Sequence, residues 1–346
     1  MHSIEYHRAM QSGTILVCGG AGFIGSNFIR HILAAYPLVR VVCIDVLTYA
    51  GTKENLAGLP KDRLAFVQGD ICDKAVLSRV IKRYKPVYAI NFAAESHVDR
   101  SVHTGAALFA RTNAEGVVVL LECLRQEAPQ LKKFVQVSTD EVYGSLSLSA
   151  KKAFTENSPL SPRSPYAASK AAGDLLAHSF FETYRMPVVI TRCSNNYGPY
   201  QHPEKFIPFS IVRLMEGKPV ALYGDGKNVR DWIHVADHCR ALVLALQKGI
   251  PGEVYNIGAD TEVSNLALAK ELLRFFGKKN PGLLFITDRP GHDRRYAIDA
   301  SKIKKELGWK SKHTLNTSLP KTILWYQAQT GWLAHVRRKS ALNPHI

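Results

Sequence analysis

The stretch Thr14-Ile15-Leu16-Val17-Cys18-Gly19-Gly20-Ala21-Gly22-Phe23-Ile24-Gly25 runs from an apolar segment into a G-x-x-G-x-x-G turn, and an amphipathic segment follows from Ser26 to Ala35. It reads as strand, glycine turn, helix. With no Cβ at Gly19, Gly22 and Gly25, backbone N–H groups at the helix N-terminus can reach a pyrophosphate. Further apolar runs at Val41 to Ile44, Leu64 to Val67, Val87 to Phe92 and Phe134 to Val137 alternate with helical stretches near Lys74 to Arg83 and Ala106 to Gln126. That alternation predicts an α/β fold with a doubly wound parallel sheet. Asp45 closes the second strand, where a carboxylate can accept hydrogen bonds from a ribose diol and would repel a 2′-phosphate. Strand, turn and acid together point to a dinucleotide, NAD rather than NADP.

From about Pro187 the pattern breaks into shorter pieces rich in Pro, Gly and Asn, with helical segments at Ser301 to Leu307 and around Leu319 to Gln329. The expected organisation is an N-terminal extension over 1–13, a Rossmann NAD-binding domain over 14–190, a smaller substrate-binding lobe over 191–330, partly returning to the first domain, and a mobile basic tail over 331–346. Met1 to Ser12 has no apolar core and so is not a secretory signal. A hydrophobic content of 46% with no run of membrane-spanning length describes a soluble globular chain, without a membrane partner. The six cysteines are scattered without a CxxC pair, as expected of reduced thiols in the cytoplasm. A net charge of +16 would suit a nucleic-acid protein. The basic residues are dispersed in doublets such as Lys132-Lys133 and Lys278-Lys279, however, so a solvated surface that attracts a phosphate-bearing substrate is expected and nucleic acid is not. Thirteen histidines include no H-E-x-x-H, and no metal is expected.

The chemistry is concentrated in Ser138-Thr139-Asp140-Glu141-Val142-Tyr143-Gly144 and Tyr166-Ala167-Ala168-Ser169-Lys170. Asp140 and Glu141 follow the apolar run Phe134 to Val137, at the carboxyl end of a strand, where open α/β sheets bind ligands. Neighbouring carboxylates in a desolvated cleft repel, which raises one pKa and leaves an acid beside a base. Tyr166 and Lys170 share one helix face, where an ammonium favours the phenolate. Tyr143 has no lysine four residues on and reads as packing. Neither Ser138 nor Ser169 sits in a G-x-S-x-G elbow, so acyl chemistry is not expected.

Taken together, the glycine spacing, Y-x-x-x-K and S-T-D-E-V-Y-G resemble the extended short-chain dehydrogenase/reductase family, and within it the nucleotide-sugar 4,6-dehydratase branch. The resemblance spans nearly all of Thr14 to Tyr326. It includes Ala93-Ala94-Glu95-Ser96-His97-Val98-Asp99-Arg100, Ser194-Asn195-Asn196-Tyr197-Gly198-Pro199, Pro203-Glu204-Lys205, Arg230-Asp231-Trp232 and Arg289 to Tyr296. Sister epimerases and decarboxylases generally lack the Asp-Glu pair. The resemblance implies Asp140 as general acid, Glu141 as general base, Tyr166 with Lys170 as the redox base, and Thr139 on the reacting hydroxyl. For NAD it adds Phe23, Ile24, Thr48, Asp70, Ile71, Ala93, Ala94, Thr112 and Asn196 to the glycines and Asp45. For a dTDP-glucose substrate it implies Ser96 at the sugar and Asn195, Lys205, Phe206, Ala221, Leu222, Tyr223, Arg230, Asn265, Asp288, Arg289 and His292 at the nucleotide, with Arg230 and Arg289 on the diphosphate. It also implies a homodimer built on two helices, here Ala106 to Gln126 and Tyr166 to Tyr184. Thymidine against uridine is left open, and a 4-epimerase or a non-catalytic NAD-binding protein remains as an alternative.

Overall fold

Ile15, Leu16, Val17 and Cys18 are all 0% exposed, as a strand covered on both faces requires. They lie in β1 (Gly13–Cys18), which pairs in parallel with β2 (Val39–Asp45) on one side and β4 (Tyr88–Asn91) on the other. The computed structural model describes residues 12–103, 105–277, 281–288 and 291–342. Beyond β2 lies β3 (Leu64–Gln68); beyond β4 lie β5 (Lys133–Thr139), β6 (Val188–Cys193) and β10 (Val254–Ile257). The order β10-β6-β5-β4-β1-β2-β3 is parallel throughout, the doubly wound arrangement expected, with its switch point between β1 and β4.

Side chains alternate across the sheet with period two. Ile15 and Val17 join a core with α1 (Phe23–Ala35), α8 (Val235–Lys248) and α10 (Ser301–Leu307). Leu16 and Cys18 join a second core with α2 (Lys74–Tyr84), α5 (Gly116–Glu127) and α6 (Pro165–Tyr184). Each such fully buried aliphatic side chain contributes about 1.5–3 kcal/mol. α3 (Val98–His103) and α4 (Ala106–Ala110) precede a π turn at Arg111–Glu115 that runs straight into α5.

After β6 the chain leaves the sheet. It builds β7 (Asn195–Tyr197), α7 (Phe206–Met215), β8 (Val220–Tyr223) and β9 (Val229–His234), returns through α8 and β10, and leaves again for β11 (Glu262–Ser264), α9 (Asn265–Phe276) and β12 (Leu283–Ile286). These pieces form two small sheets, β11-β9-β7 and β12-β8, around a third core that also includes α11 (Leu315–Ala328). No described helix is long and apolar enough to cross a membrane.

The segment expected as a mobile basic tail is instead a helix, α12 (Thr330–Leu342). Leu333 and Val336, three apart on one face, are buried at 6% and 3%, and Trp332 Nε1 donates to Asn55 Oδ1 at 2.7 Å. Arg337 and Arg338 are exposed, Arg337 meeting Glu216, so the basic composition masked an amphipathic pattern. The N-terminal extension up to Gln11, Lys278-Lys279, Arg289 and residues 343–346 lie outside the described residues.

Helix α6 is fastened to the sheet by a buried ion pair, Arg192 Nε to Asp174 Oδ2 at 2.9 Å. Removing one partner strands the other in a medium that cannot solvate it. Asp174→Ala is expected to cost about 3–5 kcal/mol, read as a lowered urea midpoint with the transition still cooperative.

Candidate active site

The glycine turn is built where a side chain would not fit. Gly19 has φ +73°, and a Cβ there would meet Ala93 N at 2.4 Å; at Gly25 it would meet Gly19 O at 2.4 Å. Helix α1 starts at this turn with Gly22 as N-cap, no side-chain cap and no acidic residue in its first turn. Its leading N–H groups are therefore available to an anion. At the end of β2, Asp45 accepts from Ala21 N (2.9 Å) and Leu47 N (2.8 Å), holding the turn and the following loop together. Burial pushes its pKa up, while those two N–H groups and Lys339 act against the rise. A carboxylate keeps lone pairs for a ribose diol beyond those two bonds. Glycines without room for a Cβ, an uncapped helix and a strand-end acid fit the pyrophosphate and adenosine ribose of NAD.

From this end a cleft of about 380 Å³ runs along the carboxyl edge of the sheet. Its lining brings together every predicted cofactor residue: Gly19, Gly22, Phe23, Ile24, Gly25, Asp45, Thr48, Asp70, Ile71, Ala93, Ala94, Thr112, Tyr166, Lys170 and Asn196. Thr139, Asp140 and Glu141 line it too, with Ser96, Asn195 and Lys205 from the predicted substrate set.

β5 is buried along its whole length and delivers Thr139 to the cleft. A single 3₁₀ turn, Asp140–Tyr143, follows, and Thr139 Oγ1 accepts from Glu141 N at 3.3 Å to cap it. Thr139 Oγ1 also donates to Asp140 Oδ1 at 3.4 Å. Asp140 is 2% exposed. Burial pushes its carboxyl well above the usual carboxylate range; Glu141 and Asp231 add to the rise and Arg230 opposes it. The shift favours the protonated form of the side chain. Glu141 is less enclosed, with Tyr296 OH 3.3 Å from its Oε2. The two adjacent carboxyls thus differ in their depth in the fold.

Helix α6 begins at Pro165 with Ser164 capping Ala167 N at 3.1 Å. Tyr166 and Lys170 face the cleft, but the phenol does not behave as the spacing predicts. Burial raises its pKa well above the ordinary value, Glu141, Cys193 and Asp140 raise it further, and the Thr139 hydroxyl pulls it down. Lys170, its own pKa lowered by burial, donates to Val137 O at 2.7 Å. Both groups line the cleft, but the direction differs from the expectation because burial and neighbouring carboxyls set the phenol's pKa. Tyr143 is packing, its hydroxyl donating to Asn256 Oδ1 and accepting from Arg192.

The other predicted substrate residues lie on the second lobe. Phe206 opens α7 and packs on Trp232. Tyr223 and His292 meet ring to ring at 5.9 Å, His292 Nδ1 lies 2.6 Å from Asp288 Oδ1, and Tyr223 OH reaches across to Asp99 at 3.3 Å. Leu222 is a correction: it is 1% exposed and fills the lobe's core, so it offers a ligand no accessible surface, while its neighbours Ala221 and Tyr223 are accessible. Arg230 stacks over Tyr296 at 4.2 Å and donates to Val229 O and Asp293 O. Asn265 starts α9, its N–H on Asn228 O. Lys205 crosses between lobes to donate to Ser96 O at 2.8 Å.

A family model described as GDP-mannose 4,6 dehydratase matches residues 16–322. A dTDP-glucose 4,6-dehydratase of Xanthomonas campestris pv. campestris (strain B100) is 46% identical over 93% of this chain and 95% of that protein. The chain belongs to the dTDP-glucose 4,6-dehydratase family. The crystal structure of DesIV, a dTDP-glucose 4,6-dehydratase from Streptomyces venezuelae with NAD and TYD bound, is 47% identical, covers 93% of this chain and 99% of that one, and superposes with a TM-score of 0.88. A UDP-glucose 4-epimerase from Thermotoga maritima with UDP-glucose shares the fold at 30% identity, with a TM-score of 0.83 and coverage of 91% and 99%. The dehydratase family therefore shares its architecture with epimerases.

Sequence reasoning passed over residues in and behind the cleft. Asn113, in the π turn, bonds both backbone groups of Glu95 and the Ser169 hydroxyl, tying the loop after β4 to α6. Glu204 accepts from Tyr49 OH at 2.9 Å and lies within 4 Å of His97, His202 and Lys205. No spacing signal joins such distant residues; the π turn left only an unbroken helical pattern.

Asp140 provides a stability test. Its folded pKa is raised, so its stability contribution is complete below the unfolded value of about 3.9 and is lost as pH rises toward the folded one. Asp140→Asn is expected to melt above the parent at pH 8, with the gap closing toward pH 4 in thermal scans.

Proposed function

We propose that the protein converts dTDP-glucose to dTDP-4-keto-6-deoxyglucose by oxidation at C4, elimination of water across C5 and C6, and reduction at C6. The observation that carries this reading is a buried Asp140, whose burial pushes its pKa up, adjoining the less buried Glu141 in one cleft with Tyr166 and the dinucleotide turn. An epimerase has no water to expel and no use for such a pair.

NAD, held by the glycine turn, Asp45 and Lys170, would supply the hydride acceptor for C4 and the hydride donor for C6. Tyr166 takes the O4 proton, steadied by the Thr139 hydroxyl. The resulting ketone acidifies C5–H. Glu141 removes that proton while Asp140 protonates the departing O6, so the C6–O6 bond breaks and water leaves. Glu141 then returns its proton to C5 as C6 is reduced. Each turnover leaves Tyr166 one proton richer and Asp140 one poorer, and the Thr139 hydroxyl, in contact with both, joins the two sites. Lys170, fixed on Val137 O, holds the ribose side of the cofactor against α6. Lys205, Arg230 and His292 supply positive charge or donors for the nucleoside diphosphate.

The same reading makes the protein a cytoplasmic homodimer that feeds deoxysugar synthesis. Its six unpaired cysteines suit a reducing compartment. Leu108 on α4 and Leu175 on α6, 40% and 61% exposed, present apolar surface on the two helices expected to pair.

Incubation with dTDP-glucose and NAD is expected to give a product lighter by one water. An unchanged mass with altered sugar configuration would replace this reading with epimerisation. Asp140→Asn and Glu141→Gln are each expected to lose ~10²–10⁴-fold in kcat. Because C4 oxidation precedes the lost step, both should accumulate bound NADH, visible by absorbance during single turnover.

A further inference from the structure

The basic run in α12 ends on the cofactor cleft. Lys339 Nζ donates to Leu47 O at 3.1 Å and to Gly51 O, closing the two ends of the loop 47–51. That loop contributes Thr48, Ala50 and Gly51 to the cleft, directly after Asp45. It is not relaxed by itself: Leu47 has φ +60°, in the left-handed region that a branched side chain disfavours. One turn earlier on α12, His335 Nε2 lies 3.1 Å from both Thr52 Oγ1 and Glu54 Oε2. Next to Lys339, Ser340 Oγ lies 2.9 Å from His202 Nε2 on the opposite wall. Tyr49 and Glu204 close the ring between the two walls at 2.9 Å.

We propose that α12 is a clasp over the adenosine end of the cofactor cleft, with Lys339 as a positioning residue that fixes the loop 47–51 and so retains NAD through the reaction. The inference rests on the proposed function, whose chemistry makes retention matter. The hydride removed from C4 must return to C6 of the same sugar. A reduced cofactor lost midway leaves a keto sugar that cannot be completed. Lys339 meets the requirement without touching the reacting atoms: its ammonium binds the carbonyls at both ends of the loop, and its charge stands near Asp45 and Glu54.

The test is made on the full chain, by measuring NAD bound per protomer after gel filtration and the rate of NAD release on dilution. Lys339→Met is expected to weaken NAD binding roughly tenfold, the worth of one charge-assisted hydrogen bond. It should lose activity on dilution and recover it when NAD is added. Lys339→Arg, which keeps a cationic donor, is expected to restore most of the retention. His335→Ala, which frees Thr52 and Glu54 directly after the loop, should shift release in the same direction by less. If Lys339→Met and His335→Ala both hold NAD with the parent's stoichiometry and release rate, the clasp is overturned. A parent that holds no NAD overturns the reading of the cleft, and the clasp with it.

Discussion

The catalytic groups depend on the buried pair between Asp174 and Arg192. The guanidinium reaches from β6 to α6, and it also donates to Tyr143 OH at 2.9 Å, whose hydroxyl in turn bonds Asn256 on β10. Tyr143 closes the short turn that starts with Asp140 and Glu141. One chain of polar contacts therefore sets the register of the helix carrying Tyr166 and Lys170 against the turn carrying the acid pair. Such a network is strong only while every member is satisfied, because a buried charge without its partner has no solvent to turn to.

The same depth that fixes these groups determines their chemistry. Asp140, Tyr166 and Lys170 all sit where water is excluded, and in each case burial is the leading cause of the pKa shift, toward the neutral form. A site buried in this way disfavours charge on its own side chains. The arrangement costs stability and is kept for function.

Much of this was legible in the chain. The glycine turn, Asp45, the strand-end acids and the Tyr166/Lys170 face depend on local spacing, and the structure puts all of them on one cleft. What was not legible depends on distance or depth. The sign of the Tyr166 shift follows from burial and from carboxyls on another element, which helix periodicity does not encode. The Glu204 cluster gathers residues from three separate loops. Leu222 looked accessible within its motif because strand position alone does not say which face a small sheet turns inward. The final helix was hidden by composition: Arg337, Arg338 and Lys339 outweighed the spacing of Leu333 and Val336.

The departure of the chain after Cys193 and its return at Val254 also bears on how the protein is made. β6 is an inner strand only because β10 covers its outer edge. On the ribosome, β6 emerges with that edge open and stays so while the intervening segments, α7 and β9 among them, are still being synthesised. An uncovered run of Val188, Val189 and Ile190 is a template for pairing with another nascent chain. Rapid docking of α8 or shelter by a chaperone in that interval would decide the yield of native protein, independently of how stable the finished fold is.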